Sequence, residues 1–243
     1  MKTLAIVQAR MGSTRLPGKV MKPVLGTPLI ELLLERLSCS ATVEQIVLAT
    51  TVQDQDQVLA EHVSQLGYMV YRGSETDVLD RFYRAAEHYK AGAIVRVTAD
   101  CPLIDPQLVD QVVGVFHDSG ADYASNIHPP TYPDGLDVEV FRRDALEQAW
   151  QDAATSHQRE HVTPYLYESG KFRLTNVSHA TDYSGERWTL DEPADLAVIT
   201  RVFEHFQPRR DFGWQEIVEI RQQHPDWFTD NAHLQRNQAL HSE

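Results

Sequence analysis

Arg10, Gly12, Ser13, Arg15, Gly18 and Lys19 lie within one short stretch directly after the apolar run Leu4 to Val7. Two glycines let the backbone turn tightly and present N–H groups with no Cβ in the way. Ser13 and Thr14 add hydroxyls, and two guanidiniums and an ammonium add positive charge. Close donors plus charge neutralisation are what a polyphosphate requires. The bland alternative is a solvated basic turn. Strand, glycines and cations coincide as a phosphate site demands, so the phosphate reading is preferred. The stretch matches neither the Walker pattern nor Gly-x-Gly-x-x-Gly.

Asp100 is the second chemical feature. It follows the β-rich run Ile94 to Thr98 and precedes Pro102. A carboxylate at a strand end beside a phosphate loop can hold Mg²⁺ together with phosphate oxygens. Capping the helix expected from Pro106 is a role that Asp105 fills better. Cys101 reads as a small packed residue rather than a nucleophile. A third stretch, Arg72-Gly-Ser-Glu-Thr-Asp77, is a helix entry in which Ser74 or Asp77 can serve as N-cap, and it also sits at a strand end. Asp191 follows Trp188 to Leu190 and precedes Pro193 as Asp100 precedes Pro102. Two such carboxylates on one sheet edge would repel each other unless a cation lay between them. Asp195, four residues on and inside a helix, is expected to point elsewhere.

The segment Gln8 to Lys19, Gln-Ala-Arg-Met-Gly-Ser-Thr-Arg-Leu-Pro-Gly-Lys, resembles the signature of cytidylyltransferases that make CMP-activated acidic sugars, such as the CMP-KDO and CMP-acylneuraminate synthetases. Its wording is closest to the branch named after the spore coat polysaccharide protein SpsF, and the resemblance runs with gaps from residue 1 to about residue 205. It implies CTP as substrate and Mg²⁺ as cofactor. It places Ala9, Arg10, Met11, Gly12, Ser13, Arg15 and Lys19 on the nucleotide, with Ser74, Asp77 and Ala99 near it. Arg10, Lys19 and Asp100 would be the catalytic groups, and Asp100 and Asp191 the metal ligands. Asp137, Glu139, Arg159 and His161 resemble the branch's acceptor pocket, although surface solvation is the ordinary role for each alone. The acceptor would be small and polar; in the family it includes the anionic sugars KDO and sialic acid. A homodimer is implied in the same way. The reaction would bring a hydroxyl to the α-phosphorus and expel pyrophosphate, by positioning and charge neutralisation rather than covalent catalysis. The rivals are a glycosyltransferase, for which Asp54-Gln-Asp56 is a poor metal motif because it starts a helix, and a nucleotide-binding protein without catalysis.

The elements that must position these groups follow from periodicity. Strands are expected at Leu4 to Val7, Gln45 to Thr50, Met69 to Tyr71, Ala93 to Thr98, Ala121 to Asn126, Leu136 to Phe141, Phe172 to Asn176 and Trp188 to Leu190. Leu136 to Phe141 alternates apolar and acidic residues, so Asp137 and Glu139 are expected on one wet face. Helices are expected after Thr27-Pro28 as cap and first position, at Asp54 to Leu66 with Val58, Leu59, Val63 and Leu66 inward, and at Val78 to Tyr89. Others start at Pro106, at a capping Asp144, at Pro193 and near Trp214. Strands alternating with helices give an α/β fold: a three-layer, Rossmann-like, mostly parallel sheet with helices on both faces. The resemblance makes it of the nucleotide-diphospho-sugar transferase type. Residues 1–207 form the nucleotidylyltransferase domain, with an insertion at about 126–180 for acceptor or dimer contacts. Residues 208–243 form a helical extension and a loose tail.

The 243 residues carry a net charge of −13, which disfavours a general nucleic-acid binder, and the basic loop stands out against that balance. No apolar run reaches a membrane span. Cys39 and Cys101 make no disulfide framework, and with no leader pattern ahead of the first strand a cytoplasmic protein is expected.

Overall fold

The computed structural model describes residues 1–234 and Arg236. Its centre is β1 (Thr3–Gln8), flanked by β4 (Gln45–Thr51) and β6 (Ala93–Thr98), with β5 (Met69–Gly73) outside β4. These four are parallel. Beyond β6 lie β8 (Glu139–Arg142), β7 (Tyr123–Ser125) and β9 (Leu174–Asn176), completing a seven-stranded sheet in the order β5-β4-β1-β6-β8-β7-β9. Among the described strands of this sheet, β8 alone runs against the rest. The fold is the expected mostly parallel α/β architecture.

Consecutive residues of β1 feed opposite faces, which is why its apolar run is unbroken. Ala5 and Val7 join a core with α1 (Leu29–Leu37), α4 (Pro106–Ser119), α8 (Pro193–Phe206) and α9 (Trp214–Gln223). Leu4 and Ile6 join the other, with α3 (Val78–His88), α5 (Arg143–Asp152) and α7 (Pro164–Glu168). Helices therefore cover both faces. Trp214, Ile217 and Phe228 belong to the same core as Ala5 and Val7 of β1, so residues 214–228 pack into the main body; the end of the expected tail, past Arg236, lies outside the described residues.

Several local expectations differ from the structure. Thr27 is not the cap and Pro28 is not the first helical residue: they form strand β3 (Thr27–Pro28) against β2 (Pro23–Val24), the Thr27 hydroxyl accepts from Arg210 at 3.0 Å, and Pro28 stands at the N-cap position before Leu29. In α2 (Gln57–Gln65) the inward residues are Leu59, Ala60 and Val63. Val58 is exposed because it lies about 100° round the helix from Leu59, and Leu66 is exposed at the helix end. Asp144 does not cap α5; its carboxylate is turned to Arg142, at 2.9 and 2.7 Å. Glu139 faces no solvent. Lying in β8 between β6 and β7, it is buried, receiving Arg96 across the ladder and the Tyr123 hydroxyl at 2.6 Å. Trp188 to Leu190 is no strand of the sheet. It is an extended strap whose Trp188 and Leu190 N–H groups donate to Asp134 O at 2.7 Å and Asp100 O at 2.8 Å.

Candidate active site at the carboxyl edge of the sheet

The loop after β1 is closed on itself. The Met11 carbonyl accepts from Ser13 N at 2.9 Å and Gly18 N at 3.0 Å, while Met11 N donates to the Asp56 carboxylate at 2.6 Å. Gly18 stands at φ +67°, a left-handed conformation that glycine adopts without a Cβ penalty, and it starts the short 3₁₀ turn Lys19–Met21 that aims Lys19 inward. The amides of Met11, Ser13 and Gly18 are thus spent on the loop's own shape, and side chains carry more of the loop's charge chemistry than its sequence suggests. Asp56, fully buried, also holds the Thr51 hydroxyl. Its sequence signal was an acid at a helix start, which reads as a cap and not as an anchor.

Two cavities of about 490 Å³ each open at the carboxyl ends of β1 and β6, where ligands of open α/β sheets sit. They share a wall of Gln8, Arg15, Thr98, Asp100, His161 and Asp191. The first holds the basic loop, with Ala9, Arg10, Ser13, Lys19, Ala99 and, from α3, Arg81. The second holds Arg96, Asp134, Asp137, Glu139, Tyr167 and Arg236.

At the shared wall Lys19 lies between two carboxylates. Its Nζ is 2.8 Å from Asp100 Oδ2 and 2.7 Å from Asp191 Oδ1. Burial alone would pull the ammonium down, but Asp100 and Asp191 outweigh it and hold its pKa above the usual value. Burial pushes Asp100 up, yet Lys19 draws it down to about 2. Arg15 reaches Asp191 at 3.0 Å and Glu192 at 3.8 Å, and Arg10 lies 3.7 Å from Glu75. The Lys19 ammonium stands between the two carboxylates. Among the described residues no group of three or more His, Cys, Asp or Glu could hold a metal. The two carboxylates suit an ion that takes one or two protein oxygens and completes its shell with phosphate and water, as Mg²⁺ does.

Residues 4–213 match the family model for cytidylyltransferases. The chain belongs to the cytidylyltransferase family. It is 34% identical over 237 residues to the spore coat polysaccharide biosynthesis protein SpsF of Bacillus subtilis, covering 93% of this chain and 97% of that one. A solved cytidylyltransferase from Leptospira borgpetersenii superposes with a TM-score of 0.90 at 32% identity, over 94% and 97% of the two chains. A CMP-2-keto-3-deoxy-manno-octonic acid synthetase solved with CTP shares the fold, with a TM-score of 0.65 at 21% identity over 84% and 99%.

Within this cytidylyltransferase, Asp191 is set by a buried frame. Its N–H and that of Glu192 donate to Asp195 Oδ2 at 2.9 and 2.8 Å. Burial pushes the Asp195 carboxyl up, but Arg187, gripping it through Nε at 2.9 Å and Nη2 at 3.0 Å, holds it below the usual range. Asp195 therefore does not point away: it is fully buried beneath the turn that presents Asp191. The bond from Glu192 N–H is a local capping contact of α8, but the grip of Arg187 on the same carboxylate depends on how the strap folds back.

The remaining sequence candidates separate. Asp77 caps α3 through Asp80 N at 2.9 Å and is also held by Arg159, whose Nη1 donates to Trp150 O at 2.7 Å. The two pair with each other, tying α6 (Ser156–His161) to α3, and neither lines a cavity. Ser74 accepts from Asp77 N at 3.0 Å. Met11, Gly12 and Ser74 line neither cavity, whereas His161 lines both. Asp137 and Glu139 line the second cavity, each held by an arginine, Arg236 and Arg96. Burial pushes the Cys101 thiol well up, as suits a packed residue. Arg81 was missed because, within a helical stripe, it reads as surface charge. It is buried, and its guanidinium is lowered to about 10 by burial and by Arg10.

Proposed function

We propose that the chain transfers CMP from CTP to a hydroxyl of a sugar or similarly polar acceptor and releases pyrophosphate, at the wall the two cavities share. The observation that carries this is the convergence of Lys19, Asp100, Asp191 and Arg15 where both cavities meet. The triphosphate occupies the side of Arg10, Lys19 and Arg81, and the acceptor the side of Asp137 and Tyr167. The CTP carried by the structurally similar synthetase supports the nucleotide choice, and similarity to the spore coat polysaccharide biosynthesis protein SpsF supports a polysaccharide precursor as product. Mg²⁺ held by Asp100 and Asp191 would supply Lewis-acid polarisation of the α-phosphate. Lys19, held between the two carboxylates, would bring its ammonium to phosphate oxygens. Arg15, on the shared wall, spans donor and acceptor. Asp195 and Arg187 keep the Asp191 backbone still, which is the positioning such a displacement needs. The expected homodimer belongs to the same proposal. No described helix is long and apolar enough to cross a membrane.

Calorimetric titration with CTP, UTP, ATP and GTP in the presence of Mg²⁺ tests the nucleotide, and pyrophosphate release in the presence of acceptor tests the reaction. CTP should bind tightest. Equal or tighter UTP binding, or release of a nucleoside diphosphate from a nucleotide sugar, would place the protein in another transferase class.

A further inference from the structure

The family match ends at residue 213, yet the chain returns to the site from beyond that point. Phe228 is buried in the main core, and Arg201 in α8 donates to Trp227 O at 2.9 Å. Asn231 is buried, and its Nδ2 donates to Arg187 O at 3.0 Å and to Asp195 Oδ1 at 2.9 Å. The segment is therefore pinned to the frame that sets Asp191. It delivers Arg236 to the acceptor-side cavity, where Nη1 donates to Tyr132 O at 3.2 Å, Nη2 to Asp137, and Nε lies 4.0 Å from Asp134.

We propose that Arg236 contacts the acceptor and helps decide which acceptor is taken, and that the wall it forms with Asp134 and Asp137 binds an uncharged, polyhydroxylated part of that molecule. This rests on the nucleotidyl-transfer reading above.

Two features carry the proposal. The wall is rigid. Gly135 has φ +104° and lies so close to the strap that a Cβ would sit 2.6 Å from the Trp188 carbonyl carbon, while Asp134 N and O are both bonded to the strap, to Glu186 O at 2.9 Å and from Trp188 N at 2.7 Å. A guanidinium carries five N–H donors in a plane, and fixing some of them on Tyr132 and Asp137 orients those that remain. The wall is also already acidic. The other guanidiniums lining this cavity are already paired, Arg96 with Glu139, Arg187 with Asp195 and Asp134, and Arg15, on the shared wall, with Asp191 at 3.0 Å. Burial and the mutual proximity of the two carboxylates push Asp134 up to about 7, and burial raises Asp137 as well. A further carboxylate would meet this field with no spare guanidinium. Hydroxyls, which both donate and accept, match a donor set between two acceptors.

The test uses the full chain with Mg²⁺ and CTP. CTP affinity is measured first, so that failure to bind CTP counts against the transfer reading and not against this one. Glucose, N-acetylglucosamine, glucuronate and KDO are then compared, by pyrophosphate release and by binding to the CTP-loaded protein. A neutral sugar should exceed its carboxylate counterpart by about tenfold or more, corresponding to about 1.4 kcal/mol. Arg236→Ala should weaken that sugar about tenfold through KM while leaving CTP affinity within about twofold, and Arg236→Lys should recover part of the loss. The proposal is overturned by a preference for glucuronate or KDO, by no engagement of either neutral sugar, by an Arg236→Ala variant that handles the sugar as the parent does, or by a parallel loss of CTP affinity.

Discussion

On the side of the cleft where the triphosphate is proposed to sit, Ala9, Arg10, Ser13, Arg15 and Lys19 come from one loop that leaves the central strand. On the side proposed for the acceptor, Asp137, Tyr167, Arg187 and Arg236 come from separate segments, and the Asp137–Arg236 pair alone spans 99 residues. The first half is a local structure with a charge, and its residues keep their meaning when read in order. The second is an assembly in which each charge acquires its meaning from a partner far away. Asp191 belongs to both halves: the strap that carries it links the Asp134 turn to the Asp100 strand end.

The sharpest way to break this comparison is to remove the joint between the halves. Asp100→Asn and Asp191→Asn should each fold and each lose several kcal/mol of transition-state stabilisation. The double variant should be little worse than either single one, because the two act as a unit. Independent, multiplying losses in steady-state kinetics would show that the halves work separately. Next comes the frame. Asp195→Ala takes from buried Arg187 the carboxylate it grips with two nitrogens, and from the Asp191 and Glu192 N–H groups their acceptor, and should cost about 3–5 kcal/mol in thermal or denaturant unfolding. A variant of parental stability would mean the acceptor side does not depend on that frame.

Lys19→Ala probes the nucleotide half alone. Loss of its charge-assisted contacts should cost about 1.5–3 kcal/mol in turnover, with acceptor KM little changed. Unchanged turnover would take the basic loop out of the site. Arg159→Ala should do the reverse of what sequence resemblance implies. It removes a partly exposed pair with Asp77, so about 0.5–1 kcal/mol of stability is expected to go and acceptor kinetics to stay as they were. A large rise in acceptor KM would return Arg159 to the pocket.

The smallest effect is in pH, and it has opposite sign in the two halves. Lys19 holds Asp100 near 2, below its unfolded value of about 3.9, so its stabilisation is present above about pH 4 and is lost as pH falls through about 2. Burial and Asp137 raise Asp134 to about 7, so its contribution is complete below about pH 4 and disappears as pH rises through about 7. Unfolding curves between pH 5 and 8 should flatten in Asp134→Asn. An unchanged slope would show that Asp134 stays charged in the folded protein.

The sequence by itself determined the parallel α/β sheet, because apolar runs and helical stripes are local periodicities tied to burial, as β1 and α3 show. It also determined the basic loop, since Gly18 and Lys19 act within a few residues of each other, and it picked out Asp100 and Asp191 by their shared setting before proline. It did not show that Lys19 would stand between them, that Glu139 would be buried against Arg96, or that Arg159 would be spent on Asp77. Those outcomes depend on distances between segments with no sequence periodicity in common. An acid reads the same whether it faces water, a metal, an arginine or a backbone N–H. Only the packing of the strap, the helices and the returning C-terminal segment decides which of these partners comes within 3 Å, and therefore which charge is free to meet a substrate.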